Sequence, residues 1–292
     1  MQTKFHHIAL IGKYQSKIIG ELLMSMAQFL QQAQIPFAIE TETAQNTKLD
    51  KKFPSLTLEQ IGSQCDLAIV VGGDGTMINA ARELASAKIP MVGVNKGRLG
   101  FITDIPVDQF ESALTEIMQG NFVEEYRSMI QAQVWRGEEL IYQALALNEV
   151  AINRGASAGM IEINVSVDGD FVAGIRADGV IVATPTGSTA YALAAGGPIL
   201  WPGVQGWVLA PIAPHTLTHR PIVLPDSGVV TLEMAPGKNK ASATFDTQIF
   251  NQLRPKDKIT LQRAGEQVRM LHPPQWSFYQ NLRSKLRWYS EY

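Results

Sequence analysis

The sequence has little cysteine, no long apolar run and no excess of one charge. Among its 292 residues Cys65 is the only cysteine, which excludes an internal disulfide and a metal site built from several cysteines. No apolar run is long enough to span a bilayer, and residues 1–7 lack the charged and then apolar order of a signal peptide. The net charge of -2 indicates no basic surface for nucleic acid. We therefore expect a cytoplasmic protein without a membrane or nucleic-acid partner.

The overall amino-acid composition is that of a globular protein. Apolar residues make up 46% of the chain and charged residues 18%, which argues against long disordered segments. A chain of 292 residues is long enough for one large domain or for two ordinary ones.

The first part of the chain alternates short apolar segments with amphipathic ones. The segment LAIVV at 67–71 is continuous and β-branched, as expected for a central parallel strand. Residues 16–33 place apolar side chains on one helical face. This alternation predicts a doubly wound parallel sheet with right-handed crossovers. The predicted strands are 7–11, 37–39, 67–71 and 91–94, and the predicted helices are 16–33 and 77–87.

The pattern changes near residue 120. In IEINVSV at 161–167 apolar and polar residues alternate, which indicates a strand with one wet face, and turn pairs such as Asp168-Gly169 separate such strands. We therefore predict an α/β N-terminal domain, residues 1–122, and a β-rich C-terminal domain, residues 123–292, whose last helix returns to the N-terminal domain. The predicted elements are strands at 128–134, 144–152, 161–167, 179–183, 228–234 and 258–262 and a helix at 276–288.

A glycine-rich turn, GGDGT at 72–76, follows the clearest strand directly. Ligands of doubly wound sheets bind at the carboxyl ends of the strands. We expect Gly72, Gly73 and Gly75 to let the backbone approach a phosphate and adopt positive φ. Free N–H groups at the helix start, around Thr76, favour an anion.

Asp74 is the unusual residue of this turn, because a carboxylate among phosphate donors repels the ligand. One interpretation is that it caps the helix or holds the turn. Since three glycines surround it, we instead expect a bare carboxylate that binds Mg²⁺ or accepts a proton from an attacking hydroxyl. The turn is neither a Walker A loop nor a GxGxxG turn, so it indicates a kinase outside the P-loop class.

A second cluster lies in the β-rich part, where an apolar strand opens into the hydroxyl-rich segment TPTGSTAY at 184–191. Its small side chains leave room for a flat ligand, and Tyr191 either stacks on a base or fills the core. The pair Asn148-Glu149 lies within the strand predicted at 144–152. If the pair is buried, it needs a binding partner, because burying polar groups without one is costly. If Glu149 instead lies on the wet face of the strand, it has no role. The spacing alone leaves both interpretations open.

Two further pairs of polar residues have a structural interpretation and a functional one. His215 and His219 are spaced as possible metal ligands, but the surrounding prolines favour a turn between strands. Lys96 and Arg98 follow a predicted strand at its carboxyl end, so we expect one of them to reach a phosphate. The alternative is that both only solvate a loop.

Together these motifs resemble the bacterial NAD kinase family, and the resemblance covers essentially the whole chain. The matching segments are GGDGT at 72–76, NKGRLGF at 95–101, Asn148-Glu149 and RADG…TPTGSTAYALAAGGP at 176–198. TPTGSTAY is the most specific of them, since GGDGT is shared with 6-phosphofructokinases and with diacylglycerol and sphingosine kinases. The resemblance implies an N-terminal α/β domain, a C-terminal β domain, a site between them, and a homodimer or homotetramer.

The resemblance also implies a role for each matching residue. Asp74 matches the aspartate that activates the 2′-hydroxyl of the adenosine ribose of NAD, and Gly75 matches its phosphate-binding neighbour. Asn148 and Glu149 match a pair at the ribose and phosphates. Asp178 matches a residue at the nicotinamide end, where Arg176 would orient its carboxylate. The implied nucleoside pocket consists of Thr186, Thr189, Ala190, Tyr191 and Ala194.

A late loop departs from the family pattern. Many relatives carry Asp-Gly-Gln beside the nucleotide, whereas this chain has Asp246-Thr247-Gln248. Gln248 is therefore implied in NAD binding, and Thr247 stands where those relatives carry glycine.

The implied reaction transfers the γ-phosphate of ATP to the 2′-hydroxyl of the adenosine ribose of NAD, giving NADP. Mg²⁺ or another divalent cation would accompany ATP and offset its charge. Two alternatives stay open at this point. A lipid kinase of the diacylglycerol type shares GGDGT, although the chain shows no basic amphipathic segment for a membrane surface. A non-catalytic NAD(P) sensor would keep the fold, although it would not need Asp74.

Overall fold

The structure is a computed structural model that describes residues 3–12, 17–97, 100–155, 159–237, 241–247 and 249–288. The chain forms two compact units. Unit 1 comprises Met1–Tyr126 and Val268–Tyr292, and unit 2 comprises Arg127–Gln267. The chain therefore passes twice from one unit to the other. The domain ranges 1–122 and 123–292 stay a prediction.

Unit 1 is built on a parallel sheet with the strand order β6-β5-β4-β1-β2-β3. Helices connect most of these strands, which is the expected arrangement of crossovers in a parallel sheet. In chain order the elements are β1 (Ile8–Gly12), α1 (Lys17–Gln32), β2 (Phe37–Glu40), α2 (Thr41–Thr47), β3 (Ser55–Leu56), α3 (Leu58–Gln64), β4 (Leu67–Gly72), α4 (Asp74–Leu84), β5 (Met91–Asn95), β6 (Ile105–Pro106) and α5 (Phe110–Gln119).

The continuous apolar strands of unit 1 are buried on both faces. Every residue of β1 and of β4 is buried, because helices cover the sheet. Helix α1 buries Leu23, Met26 and Leu30 on one stripe against this sheet. Short 3₁₀ turns at Ala85–Ala87 and Val107–Gln109 complete the connections. No helix in the described part of the chain is long and apolar enough to cross a bilayer.

Unit 2 contains two sheets of mainly antiparallel strands. Its elements are β7 (Val123–Arg136), which starts in unit 1, β8 (Glu139–Ala146), β9 (Glu149–Asn153), β10 (Ile161–Val167), β11 (Asp170–Ala177), β12 (Gly179–Ala183), α6 (Tyr191–Ala194), β13 (Gly206–Ile212), β14 (Ile222–Pro225), β15 (Val230–Met234), β16 (Ala241–Phe245), β17 (Ile249–Leu253) and β18 (Lys258–His272), which ends in unit 1. After β18 the chain forms α7 (Phe278–Leu286) within unit 1.

The two sheets of unit 2 share one apolar core. One sheet has the order β11-β10-β15-β18, with β7 and β8 added beside β18, and the other has the order β14-β13-β12-β9-β16-β17. Ile163 and Leu232 from the first sheet and Val182, Trp207 and Phe245 from the second belong to the same buried cluster. The apolar face of each alternating strand therefore points into this core.

The predicted fold class is confirmed, with an α/β first part and a β-rich second part. The strands predicted at 161–167 and 179–183 have the same bounds in the structure. The predicted turn at Asp168-Gly169 closes the β10–β11 hairpin, and both residues have positive φ, 51° and 88°.

Several predicted elements have other bounds in the structure: the strand predicted at 128–134 is Val123–Arg136, and the one predicted at 258–262 is Lys258–His272. Two further differences have a specific cause. The single strand predicted at 144–152 is two strands, β8 and β9, because the N–H groups of Leu147 and Asn148 donate to the side chain of Asp246 instead of to a strand partner. The helix predicted to start at residue 77 starts at Asp74, with Gly73 as its N-cap. A carboxylate is favourable in the first turn of a helix, which places Asp74 inside the helix rather than before it.

A buried histidine joins the end of β18 to two acidic residues of unit 1. His272 is 0% exposed, and its Nδ1 and Nε2 lie 2.7 Å from Asp104 Oδ2 and 3.1 Å from Glu125 Oε2. Its ring stacks on Trp276 at a centroid distance of 4.0 Å. Burial lowers the pKa of His272, but the two carboxylates outweigh burial, so the net direction is upward from 6.5.

We expect His272→Gln to lower the free energy of unfolding by about 3 kcal/mol near pH 6, because two buried carboxylates lose their cation. A raised histidine pKa stabilises the fold fully below the unfolded value of 6.5, and this stabilisation is lost as the pH rises through the folded value. The difference in Tm between wild type and variant should therefore be largest at about pH 6 and should shrink as the pH rises.

His6→Gln is the matched control, because His6 pairs with Asp66 at 3.1 Å with an exposed side chain. An exposed pair contributes about 0–1 kcal/mol, so this variant should unfold almost like wild type. A difference for His272→Gln that does not change with pH would contradict the assignment of a buried imidazolium.

The turn between β16 and β17 holds a threonine in an unfavourable backbone conformation. Asp246 and Thr247 have φ values of 54° and 57°, a region that glycine adopts freely and β-branched residues rarely adopt. The Thr247 hydroxyl donates to the carbonyl of Asp246 at 2.7 Å, but the side chain is exposed and has little packing to offset the strain.

We expect Thr247→Gly to raise the free energy of unfolding by about 1 kcal/mol, because the strain at positive φ is removed. Thr244→Gly in the adjacent strand β16 is the matched control, and it should lower stability, since glycine weakens an extended strand. Urea denaturation of the two variants checks the prediction, and a loss of stability in both would show that Thr247 is not strained.

Candidate active site

Asp74 lies where the central strand of unit 1 meets its helix. β4 ends at Gly72, Gly73 follows, and Asp74 is the first residue of α4. The neighbouring strand β5 ends in register with β4, since Gly72 pairs with Asn95. The loops that follow both strands therefore start side by side at the carboxyl edge of the sheet, where such folds bind their ligands.

The carboxylate of Asp74 is held by the loop after β5. Its Oδ2 accepts the N–H of Phe101 at 2.8 Å, and its Oδ1 accepts the N–H of Ile102 at 3.3 Å. Oδ1 also accepts the N–H and the hydroxyl of Thr103, at 3.1 and 2.9 Å. The expectation of a bare carboxylate was therefore wrong, because backbone donors from a loop 27 to 29 positions later surround it.

Two glycines allow this loop to approach Asp74. A Cβ added at Gly100 would lie 1.9 Å from Asp74 Oδ1, and one at Gly93 would lie 2.6 Å from the carbonyl oxygen of Ile102. Asn95 fixes the far end of the loop, since its Nδ2 donates to the Thr103 hydroxyl at 2.9 Å. We did not predict these residues as part of the site. The signal was the position of NKGRLGF after the strand beside β4.

The hydrogen bonds leave the two oxygens of Asp74 unequally occupied. A carboxylate oxygen accepts about two hydrogen bonds. Oδ1 accepts three among the described residues, whereas Oδ2 accepts one. Oδ2 therefore keeps the capacity to accept a proton from one further donor, in an orientation that the Phe101 N–H fixes.

The glycines of the turn act through packing rather than through positive φ. Gly72, Gly73 and Gly75 are absent from the glycines with positive φ, so that part of the prediction was wrong. A Cβ at Gly72 would lie 2.6 Å from the Thr76 hydroxyl, whereas one at Gly73 would meet open space. The Thr76 N–H donates to the Gly73 carbonyl at 2.9 Å and is not a free anion donor. Phosphate binding by this turn stays a prediction.

In unit 2 the structure brings three predicted motifs together. A Cβ at Gly187 would lie 2.1 Å from the carbonyl oxygen of Asn148, so TPTGSTAY packs directly on the Asn148 backbone. The Thr184 hydroxyl donates to the Leu147 carbonyl at 2.6 Å. From the other side, the Asp246 carboxylate accepts the N–H groups of Leu147 and Asn148 at 2.9 and 2.6 Å.

Glu149 is a buried acid at the centre of these motifs. It is 2% exposed, and its Oε2 has no hydrogen-bond partner among the described residues. Burial first and the Asp246 carboxylate second raise the pKa of Glu149 to about 8, while the Tyr191 backbone N–H opposes the shift. The interpretation of Glu149 as a residue on a wet face is therefore wrong.

The residues of the implied nucleoside pocket follow one another through a short 3₁₀ turn and α6. Thr186 is buried and accepts a hydrogen bond from Arg127 at 3.4 Å, Thr189 and Ala190 are half-buried, and Ala194 is exposed. The Tyr191 hydroxyl donates to Asn153 Oδ1 at 3.4 Å. Burial, then the carboxylates of Glu149 and Asp178, raise the pKa of Tyr191.

Asp178 has a different partner from the one predicted. Its Oδ1 lies 2.9 Å from Nε of Arg154, and its backbone carbonyl accepts the Arg154 N–H at 3.0 Å. Arg176 is exposed in β11, opposite Glu162. The cation that orients the Asp178 carboxylate is therefore Arg154, which comes from the end of β9 rather than from the neighbouring strand.

The remaining candidates are peripheral or lie outside the described residues. His215 and His219 lie between β13 and β14, so the predicted turn between strands is confirmed. Within the described part of the chain no group of three or more acidic, histidine or cysteine side chains is arranged to hold a metal ion. Lys96 is half-buried after β5. Gln248 and Arg98 lie outside the described residues.

Two family models match the chain in succession. The ATP-NAD kinase N-terminal domain matches residues 8–122, which contain Asp74 and its loop. The ATP-NAD kinase C-terminal domain matches residues 147–272, which contain the three motifs of unit 2. Together the two matches cover most of the chain.

Curated proteins and solved structures agree with these matches. An NAD kinase of Polaromonas sp. is 52% identical over 99% of this chain and 98% of its own length, and one of Methylibium petroleiphilum is 48% identical over 99% and 96%. A yeast NADH kinase crystallised with NADH has a TM-score of 0.89 at 22% identity, over 100% of this chain and 90% of that one. An NAD kinase of Archaeoglobus fulgidus crystallised with ATP has a TM-score of 0.73 at 25% identity, over 97% and 100%. The chain therefore belongs to the ATP-NAD kinase family, a family of ATP-dependent kinases.

Proposed function

We propose that the chain transfers the γ-phosphate of ATP to the 2′-hydroxyl of the adenosine ribose of NAD, with Asp74 as the general base. The observation that carries this proposal is the unequal occupation of the Asp74 carboxylate, whose Oδ2 accepts one donor at 2.8 Å while Oδ1 accepts three. A hydroxyl bound at Oδ2 can pass its proton to that oxygen as its own oxygen attacks phosphorus. Phosphoryl transfer requires little more of a protein than this positioning and the stabilisation of charge.

The motifs of unit 2 are proposed to bind NAD. Asn148, Glu149 and the TPTGSTAY segment pack against one another, so a ligand of this region meets amide, hydroxyl and carboxyl groups together. Glu149 is protonated over most of the neutral range and can donate a hydrogen bond to a ribose hydroxyl or a phosphate oxygen. Asp178 is proposed to bind the cationic nicotinamide ring, and Arg154 sets the orientation of its carboxylate.

Mg²⁺ or another divalent cation is proposed to enter with ATP as part of that substrate. Most of the lone pairs of Asp74 are already used by backbone and hydroxyl donors. Since Mg²⁺ keeps several water ligands and binds phosphate oxygens readily, it needs few protein ligands. Gly72, Gly73, Gly75 and Thr76 are proposed to lie at the phosphates, and Gln248 at the nucleotide.

We further propose a cytoplasmic homodimer or homotetramer with functional domains 1–122 and 123–292, the last helix returning to the first domain. The two family-model matches, to residues 8–122 and 147–272, support the division. The family match also disfavours a lipid kinase. It likewise disfavours a non-catalytic sensor, and ATP-dependent conversion of NAD to NADP by the purified chain tests the activity directly.

Asp74→Asn should lower kcat by about 10²–10⁴-fold, because the amide keeps one oxygen for the donors at Oδ1, while its NH₂ group at the Oδ2 position can accept neither the proton nor the Phe101 N–H. NAD binding, measured by calorimetry, should be retained. Asp108→Asn is the matched control, since Asp108 is exposed on a 3₁₀ turn of the same unit. Near-normal turnover of Asp74→Asn would remove Asp74 as the base.

Glu149→Gln should raise Tm by a few degrees at pH 8 and weaken NAD binding. A carboxyl pKa raised from 4.5 to about 8 means that the fold loses stability as the pH rises between these values, because the unfolded chain ionises freely. Glutamine does not ionise, so the gain in Tm should grow from pH 5 to pH 8 and then level off. Glu139→Gln, on the exposed part of β8, should show no such gain. A variant that loses stability at pH 8 would contradict the buried neutral acid.

A further inference from the structure

Helix α7 reaches the loop that holds Asp74 through a single buried amide. Asn281 is 5% exposed, and its Nδ2 donates to the carbonyls of Gly100 and Phe101 at 3.2 and 3.3 Å. The N–H of Phe101 in turn donates to Asp74 Oδ2 at 2.8 Å. In both peptide groups that flank Phe101, the helix therefore holds the carbonyl, while the carboxylate accepts the N–H groups of Phe101 and Ile102.

The surroundings of Asn281 are unfavourable for an amide that serves stability alone. Its Oδ1 is buried without a hydrogen-bond partner among the described residues. A buried acceptor without a partner is destabilising, and asparagine is a poor residue for a helix interior. A leucine of similar size would avoid both costs, although the carbonyls of Gly100 and Phe101 would then lose their donor. The feature that leucine cannot supply is the NH₂ group that bridges the two carbonyls.

The other contacts of the loop show why this bridge matters for Oδ2 in particular. Asn95 holds Thr103, whose two donors bind Oδ1. Asn281 holds the carbonyl of Gly100, whose peptide group supplies the Phe101 N–H to Oδ2, and the carbonyl of Phe101, whose peptide group supplies the longer Ile102 bond to Oδ1. The Lys285 ammonium of α7 also lies over the Phe101 ring, 5.6 Å from the ring centroid. Among the described residues Oδ2 has a single donor, and the peptide group of that donor is held by the C-terminal helix through the Gly100 carbonyl.

We propose that Asn281 is a positioning residue that sets the direction of the Phe101 N–H and, through it, the orientation of Asp74 Oδ2. This inference rests on the proposed role of Asp74 as the base. Small displacements of a reacting group cost about 10²-fold in rate, so loss of the bridge should lower kcat by about 10–100-fold. The KM values for ATP and NAD should stay within about twofold, because Asn281 contacts the loop and not a substrate.

The test compares Asn281→Leu with Gln280→Leu, the adjacent and exposed position of α7. Asn281→Leu should leave Tm within a few degrees of wild type, since removal of the unpartnered Oδ1 offsets the loss of two long hydrogen bonds, while its kcat falls. Gln280→Leu should leave kcat and KM unchanged. Asn281→Gln, which retains the NH₂ group on a longer side chain, should recover part of the lost kcat. Wild-type kcat in Asn281→Leu, or a fall in kcat that follows a fall in Tm, would overturn the proposal.

A double-mutant cycle with Asp74→Asn separates this inference from the proposed function. If Asn281 acts through Asp74, Asn281→Leu should cause little further loss of kcat in the Asp74→Asn background. An independent loss of full size in that background would overturn the positioning role while leaving Asp74 as the base. Normal turnover of Asp74→Asn alone would instead show that the proposed function of Asp74 is wrong.

Discussion

The bonds between the Asp74 carboxylate and the backbone of Phe101 to Thr103 join the two loops at the carboxyl edge of the sheet. Without them the loop after β5 would present three consecutive N–H groups with no acceptor, and α4 would start at an unsupported turn. In unit 2 the Asp246 carboxylate has the same role, because it accepts the consecutive N–H groups of Leu147, Asn148 and Glu149. In both units an aspartate therefore fixes an irregular segment that carries proposed ligand contacts, and consecutive backbone N–H groups bind such an anion well.

Unit 2 keeps two features that lower its stability. Glu149 is an acid buried beside another acid, and its Oε2 has no partner in the described structure. Thr247 adopts positive φ on the loop that carries Asp246. Glu149 lies beside Tyr191 of TPTGSTAY, the segment that matches the family most specifically, and Thr247 follows Asp246, which holds the Asn148 backbone on which that segment packs. Destabilising features concentrate where a protein binds its ligands, so their positions support a binding role for this region.

Local sequence patterns predicted the most regular strands, but they missed the helices α2, α3 and α5 and the strands β11, β13, β14, β16 and β17. They also failed where a distant side chain decides the backbone path. The continuous strand at 67–71 and the alternating strand at 161–167 needed only their own residues and a covered or half-covered sheet. The break between β8 and β9 depends on Asp246, which is 99 positions from Leu147. The resemblance identified Asp74 as a site residue, yet its partners Phe101 and Thr103, and Arg154 beside Asp178, required the folded chain.

The discontinuous make-up of unit 1 has a consequence for synthesis of the protein on the ribosome. The strands β1 to β6 emerge first, but His272 and Asn281 emerge after all of unit 2 has been made. Until these residues have been made, Asp104 of the nascent N-terminal part has no His272 beside it, and the Gly100 carbonyl has no Asn281 amide to bind. Domains generally fold as units while the chain is being made, and here the loop that holds Asp74 acquires its last support after the rest of the protein. A chain that stops before α7 carries the GGDGT turn and TPTGSTAY but not the Asn281 amide, so under the proposed role of Asn281 the loop that holds Asp74 is complete only once the final helix has been made.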